Sequence, residues 1–508
     1  MSRPLVGTVL LLAAGALAYY ALRPATEAGP QRLTVFCAAG LKKPVEAAAA
    51  RYQEETGTEV ALQFGGTGTL LTQLRVAKQG DLFIAADDAS LADARKLEVV
   101  REVLPLARQK LVVAVAAGNP KQIRGFDDLL KADIRVALPN PEAASAGKVA
   151  VRLLGERWPA LAAKAAVMKP TVTEIAADVK LGAADAALIW DSTVPQFEGL
   201  EKVELAEFAK HLENASAAVL TSAVSAPDAL RFARYLAAPQ RGGEVFQKHG
   251  FTPAGGDAWA VKPELILFSG GVNRPAIEQL VQDFATREGI SVTTVFNGCG
   301  ILCAAMKTMG DSRNPKFPDV YYACDVCFVP PVAEHFPEAV LLTEAEIIIA
   351  VPKGNPKGIQ TLADLARPGL RVGICNAEQS TLGFMTMGIL SSMNLWESVS
   401  KNASSQVPTG DFLVNQLRAG SLDAAVVYRI NIQQQAEHFD ALPLPADKAK
   451  AIQPFAVRKD SLNRELGRRL LDHLRANRGS FEKAGFVWTG DKAPVKSADI
   501  ELPPWLKN

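Results

Sequence analysis

The strongest constraint on this chain is that one long pattern is written in it twice. Val35-Phe36 opens a segment that reaches Phe64-Gly65-Gly66-Thr67-Gly68-Thr69-Leu70, and Leu267-Phe268 opens another that reaches Phe296-Asn297-Gly298-Cys299-Gly300-Ile301-Leu302. The offset is 232 residues for Phe36 and Phe268, Glu46 and Glu278, Gly57 and Gly289, and Phe64 and Phe296. Further on, Asp81–Asp87 matches Asp319–Asp325, Gly118-Asn119-Pro120-Lys121 matches Gly354-Asn355-Pro356-Lys357, and Asp185–Trp190 matches Asp423–Tyr428. Order is kept and the offset drifts by only a few residues, so the fold must be one that a chain can build twice in succession. The 508 residues alone would suggest about three domains; the repeat sets the count by units instead.

Within each copy short apolar runs such as Leu33–Phe36, Leu111–Ala116 and Ala186–Ile189 read as buried strands. Amphipathic stretches lie between them, such as Pro44–Thr56 with Pro early and Gly57 at its end. This alternation predicts parallel α/β sheets. Roughly 220 residues per copy is large for one core, so two α/β lobes per copy are expected, joined by two crossings. The crossings are expected near Ala116–Gly118 and Ser216–Val224, and near Val351–Gly354 and Pro454–Val457.

Hydrophobic residues make up 48% of the chain and charged residues 21%, which excludes a largely disordered protein. A net charge of +1 supplies no global field for nucleic acid, and no nucleic-acid partner is expected. At the N-terminus an uncharged apolar run, Leu5–Leu22, lies between Arg3 and Arg23. It is either a signal peptide cut after Ala16-Leu17-Ala18 or an uncleaved membrane anchor with Tyr19 and Tyr20 at the interface. Both readings export residues 31–508 to the periplasm or the outer face of the membrane.

The recurring local feature is a strand, a small-residue loop and a helix. In the first copy the loops are Cys37-Ala38-Ala39-Gly40, Gly65–Thr69 before a helix at Leu70–Lys78, and Glu142–Gly147 before one at Lys148–Leu154. In the second they are Ser269-Gly270-Gly271, Asn297-Gly298-Cys299-Gly300 and Gln379–Gly383. Small residues admit a ligand close to the backbone, and helix N-termini aim N–H groups at it, which suits a small anion. Gly65–Thr69 is neither a Walker loop nor a dinucleotide fingerprint.

These residues resemble the periplasmic molybdate-binding proteins, the solute-binding component of an ABC importer, once over 31–251 and again over 264–490. The carriers are Thr34-Val35-Phe36 with Ala38-Ala39, the Thr67–Leu70 turn, Gly80–Asp87, Ala146-Gly147, Ile189-Trp190-Asp191-Ser192 and Val245–Phe251. The resemblance implies an α/β fold of two tandem type II periplasmic-binding-protein-like units, each of two hinged α/β lobes, behind an N-terminal hydrophobic helix. Residues 1–30 would be the signal peptide or anchor, 31–255 the first solute-binding domain, 256–263 the linker and 264–508 the second domain. It further implies a binding protein rather than an enzyme, with no cofactor. Its ligand would be a tetrahedral oxyanion such as molybdate or tungstate, and its partners a permease and an ATPase encoded separately.

The family's ligand residues carry over in part. Its first-loop Ser falls on Gly40 and on Val272, with Ser269 three residues earlier. Its second hydroxyl falls on Gly68, flanked by Thr67 and Thr69, and on Gly300. Its second-lobe loop maps to Ser145–Gly147 and Thr381–Gly383, and its Tyr to Trp190 and Tyr428. The candidate contacts are thus Gly40, Thr67, Gly68, Thr69, Ser145, Gly147 and Trp190, and in the second copy Ser269, Gly271, Asn297, Cys299, Gly300, Ser380, Thr381 and Tyr428.

Two other readings stay open. Of six cysteines only Cys37 precedes the second copy, and Cys299, Cys303, Cys324 and Cys327 form a cluster that suits disulfides, ligand-contacting thiols or a four-thiolate metal site. An exported sensor or thiol-redox protein on the same fold would use them, and the same fold could instead hold a small organic solute. The five histidines show no metal-pair spacing. Asp87 and Asp325 read as helix caps, and Asp411 as either a cap or a ligand neighbour.

Overall fold

The computed structural model describes residues 32–310, 313–444 and 449–500. The apolar run 5–22 lies outside them; among the described residues no helix is long and apolar enough to cross a membrane. The chain forms two compact units. Of the described residues, the first takes 32–225 together with 241–254, and the second takes 226–240 together with those from 255 to 500.

In the first unit one lobe is a six-stranded sheet and the other a five-stranded sheet. Arg32–Ala38 lies parallel between Glu59–Gly65 and Leu82–Ala85, and Glu213–Leu220 and Val100–Gln109 extend the sheet antiparallel. The second lobe centres on Leu111–Ala116, Ala186–Trp190 and Val136–Pro139. Its strands 111–116 and 186–190 are buried along nearly their whole length, which is why they read as unbroken apolar runs.

The second unit repeats this plan with one change. A single 15-residue strand, Glu338–Pro352, runs through both lobes. Its first half pairs with Lys450–Val457 and its second half with Ala424–Tyr428. The small polar devices are repeated too. Asp81 accepts the Thr34 N–H at 2.8 Å, and Asp319 accepts that of Ile266 at 2.9 Å. Arg135 forks onto Asp185 as Arg371 does onto Asp423. Sequence repetition is therefore repetition of packing and not of composition alone.

The crossings fall elsewhere than the sequence suggested. In the first unit they are at Lys110, between Val100–Gln109 and Leu111–Ala116, and in the segment between Val203 and Glu213. In the second one lies inside Glu338–Pro352, and strand Phe439–Pro443 of one lobe is followed by strand Lys450–Val457 of the other. Gly118-Asn119, with φ of 78° and 42°, forms a turn at the far end of the second lobe. The Gly/Pro punctuation marks that turn, whereas the crossing strands stay extended and need no breaker.

Inside the second unit Glu288, 1% exposed, is gripped by two arginines. Arg469 donates to both carboxylate oxygens at 2.7 and 3.1 Å, and Arg234 donates to the carboxylate at 3.0 Å and to the Glu288 carbonyl at 2.8 Å. Burial alone would raise the Glu288 pKa, but the two guanidinium groups outweigh it and hold it below the usual glutamate range. Asp257 accepts the N–H groups of Glu465 and Leu466 and so ties the Gly/Pro-rich stretch to the start of helix Arg464–Ala476. Glu288→Gln leaves two buried guanidinium groups short of a counter-charge, and we expect a loss of about 3–5 kcal/mol. Because the folded pKa lies below the unfolded one, the contribution is complete above about pH 5 and drains as pH falls further. Urea unfolding of wild type and variant at pH 7 and pH 3.5 measures both: a large gap at pH 7 that shrinks at pH 3.5.

Candidate functional site

Each lobe's parallel strands end on one side and run directly into helices, so the sheet order itself gathers helix N-termini. In the first unit the 3-10 turn Ala39–Leu41 leads into helix Lys42–Thr56, and helices Thr67–Ala77, Ser145–Leu154 and Val172–Lys180 begin beside it. Their first residues line one narrow cavity of about 10 Å³: Ala39 and Gly40, Gly66 and Thr67, Ala144 and Ser145, Thr171 and Val172, with Trp190 from the strand 186–190. The second unit builds the same arrangement from the turn Gly271–Asn273 and helices Cys299–Met309, Thr381–Ser392 and Gly410–Arg418. Its cavity, about 20 Å³, is lined by Gly271, Val272, Asn297, Gly298, Ser380, Leu382, Thr409, Gly410, Asp411, Tyr428 and Asn431, and by Cys324.

Most of these helix ends carry no side-chain cap; Gly66, Ala144, Gly298, Ser380 and Thr409 leave the terminal N–H groups uncapped by their own side chains. Such ends present donors and a positive dipole terminus to whatever occupies the cavity. No lysine or arginine lines either cavity. Two further groups point to a ligand. The Thr67 hydroxyl and the Tyr428 hydroxyl, on residues 1% and 3% exposed, have no hydrogen-bond partner among the described residues. A buried hydroxyl left alone costs roughly 1–3 kcal/mol, and both of these residues line a cavity.

The two lobes of each unit meet backbone to backbone at these ends. A Cβ on Gly66 would lie 2.3 Å from the Pro170 carbonyl oxygen and 2.4 Å from that of Ala143; one on Gly298 would lie 2.3 Å from the Gln379 oxygen. Gly68 donates its N–H to Ala143 O at 2.9 Å. Only glycine permits this approach.

Of the candidate residues, Gly40, Thr67, Ser145 and Trp190 come together in the first cavity, and Gly271, Asn297, Ser380 and Tyr428 in the second. The others stand behind or beside them. Gly68 and Gly300 pack on the opposite lobe's backbone, Gly147 packs on that of residues 139–141, and Thr69 is exposed. Ser269 is fully buried, with its hydroxyl on Gly270 O at 3.3 Å. Thr381 is fully buried against Cys324 Sγ at 3.0 Å. Cys299 is disulfide-bonded to Cys324, while Cys303 and Cys327 are free thiols. Among the described residues no group of three or more His, Cys, Asp or Glu side chains is placed to hold a metal ion.

Two differences from the sequence reading have physical causes. The helices start earlier than expected, at Thr67 and Ser145, because the small residues read as loops are themselves the first helical turn. The fourth helix end, at Pro170-Thr171 and Pro408-Thr409, was not among the candidates. Its signal was the match of Lys169-Pro170-Thr171 to Val407-Pro408-Thr409 within the repeat. Asp87 and Asp325 do cap: they accept the N–H groups of Ser90 and Cys327. Asp411 lines the second cavity. The residue is exposed overall, yet the surrounding protein desolvates its carboxyl and raises its pKa, against the Asn431 hydrogen bond and the Arg274 charge.

Two hinged lobes closing helix N-termini on a small cavity define a ligand-binding protein of the two-lobed type. The chain belongs to the bacterial extracellular solute-binding protein family, whose sequence profile matches residues 33–252 and again 265–487. It is 28% identical over 226 residues to a putative binding protein of Haemophilus influenzae, a match covering 44% of this chain and 91% of that one. It is 26% identical over 254 residues to the molybdate-binding protein ModA of Escherichia coli, covering 48% and 97%. Among solved structures it is similar to the periplasmic molybdate-binding protein of Azotobacter vinelandii, at 18% identity and a TM-score of 0.38 over 43% of this chain and 98% of that one. Each match is about one repeat long.

The close approach at Gly66 is testable. Gly66→Ala sets a methyl against two carbonyl oxygens and should hold the first unit's lobes apart while leaving each lobe folded. Amide hydrogen exchange should then speed up in residues 140–147 and stay unchanged in the strands 32–38 and 186–190. Unchanged exchange in 140–147 would show that the lobes do not depend on this contact.

Proposed function

We propose that the protein is the extracytoplasmic solute-binding component of an ABC importer and that it takes a tetrahedral oxyanion of the molybdate or tungstate kind in an interlobe cleft. The two domains would be residues 31–255 and 264–508 joined by 256–263, carried outside the cytoplasm by residues 1–30 as signal peptide or anchor. A permease and an ATPase encoded separately would receive the anion. The observation that carries this reading is the unpartnered Thr67 and Tyr428 hydroxyls, each set among helix N-termini in a narrow cavity. Relatives whose names state molybdate binding support the choice of anion.

The chemistry is sufficient without a lysine or arginine. A hydrogen bond to a charged group contributes about 1.5–3 kcal/mol. Five or six such donors, less the cost of ordering, leave about 8–12 kcal/mol, which is micromolar to nanomolar binding. No step of bond making is asked of the site.

Titration calorimetry on the full chain with molybdate, tungstate and sulfate is the direct test. Heat and sub-micromolar to micromolar affinity are expected for at least one anion; none for any of the three would overturn the oxyanion reading. Thr67→Val and Tyr428→Phe each remove one hydroxyl without changing shape much. Each should weaken binding at its own cleft by about tenfold to a hundredfold.

A further inference from the structure

The second cleft is lined by two polar side chains, Asp411 and Asn431, whose first-unit counterparts are not among the residues lining the first cavity. In the first unit the helix that begins at Val172 carries Thr173 at its second position, and Thr193 follows the strand that ends at Trp190. The corresponding residues of the second unit are Asp411 and Asn431. A pair of hydroxyl side chains has become a carboxyl and an amide.

The amide fixes how the carboxyl is used. Asn431 Oδ1 accepts the Tyr428 N–H at 3.0 Å, so the amide nitrogen must point the other way, and it donates to Asp411 Oδ1 at 2.9 Å. That carboxyl oxygen is therefore committed as an acceptor. Among the described residues no hydrogen bond to the other oxygen, Oδ2, accompanies it, and Asp411, exposed overall, lines the cavity beside Tyr428. Desolvation raises the Asp411 pKa and the Arg274 charge offsets it only in part, while Arg274 makes its own hydrogen bonds to Glu278. An anion whose every oxygen is deprotonated brings only acceptors, and it would face an acceptor of its own sign. An anion that keeps one O–H can give that proton to Oδ2 as a hydrogen bond and offer its remaining oxygens to the helix ends and the Tyr428 hydroxyl.

We infer that the second cleft selects a tetrahedral oxyanion carrying a proton, of the hydrogenphosphate or hydrogenarsenate class, with Asp411 as the specificity-determining acceptor, while the first cleft takes a fully deprotonated dianion. This rests on the oxyanion reading of the clefts and adds that one chain serves two anion classes. Discrimination of this kind needs the repulsive element as much as the attractive one.

The test uses the full chain, wild type and Asp411→Asn, titrated separately with phosphate and with molybdate at pH 7. Hydrogen exchange reports which cleft is filled, through residues 140–148 for the first and 376–384 for the second. Expected in wild type is protection of 376–384 by phosphate, with molybdate at least tenfold weaker there, and protection of 140–148 by molybdate. Asp411→Asn should weaken phosphate at the second cleft at least tenfold and strengthen molybdate there. Molybdate filling the wild-type second cleft as tightly as phosphate, or a phosphate affinity indifferent to the substitution, would overturn the inference and leave the oxyanion reading standing. Protection of neither segment by either anion would overturn both.

Discussion

Everything at the clefts depends on one constraint, that helices follow parallel strands from the same sheet edge. Helix N-termini in each lobe then have to emerge on one side, and closing two such lobes brings four of them together. Each end carries about half a positive charge, so four ends present about two, which is what a dianion requires. The dipoles are fixed by the backbone, so no side chain need be ordered to supply the charge. This is why a protein with 55 basic and 54 acidic side chains can be read as an anion binder.

The approach of the lobes is set by the same turns. Gly66 and Gly298 sit where a strand gives way to a helix, and each lies under a carbonyl of the opposite lobe. One small-residue segment thus performs three tasks: it starts the helix, uncovers its N–H groups and lets the lobes close. A larger side chain would disturb all three, which explains why the two copies keep glycine there while differing on either side of it.

Much of this was legible in the sequence because it is periodic. The repeat, the strand-helix alternation and the small-residue turns all survive as spacing, and the pairing of Cys37 with Phe64 reappears as Ser269 with Phe296 in the parallel strand pairs. What was not legible is what leaves no local mark. The crossing at Lys110 joins two extended strands without a breaker. Ser269 and Thr381 look like ligand donors by type, yet their hydroxyls are spent inside the protein, on Gly270 O and Cys324 Sγ. Residue type shows what a side chain can do, and only the packing shows which way it is turned.

The two copies differ in the chemistry they place around the cleft. Thr67, with its lone hydroxyl, corresponds to Cys299, and Ala86 to Cys324, so a donor in one cleft is replaced by a disulfide wall in the other. Trp190 corresponds to Tyr428, which restores a hydroxyl from the opposite lobe, and Thr173 corresponds to Asp411. The scaffold pairs have not moved in the same way: Arg135 with Asp185 and Arg371 with Asp423 keep the same geometry. Divergence that spares the frame and alters the donors and acceptors around a cavity is what a change of ligand requires, since a change of fold would first disturb the frame.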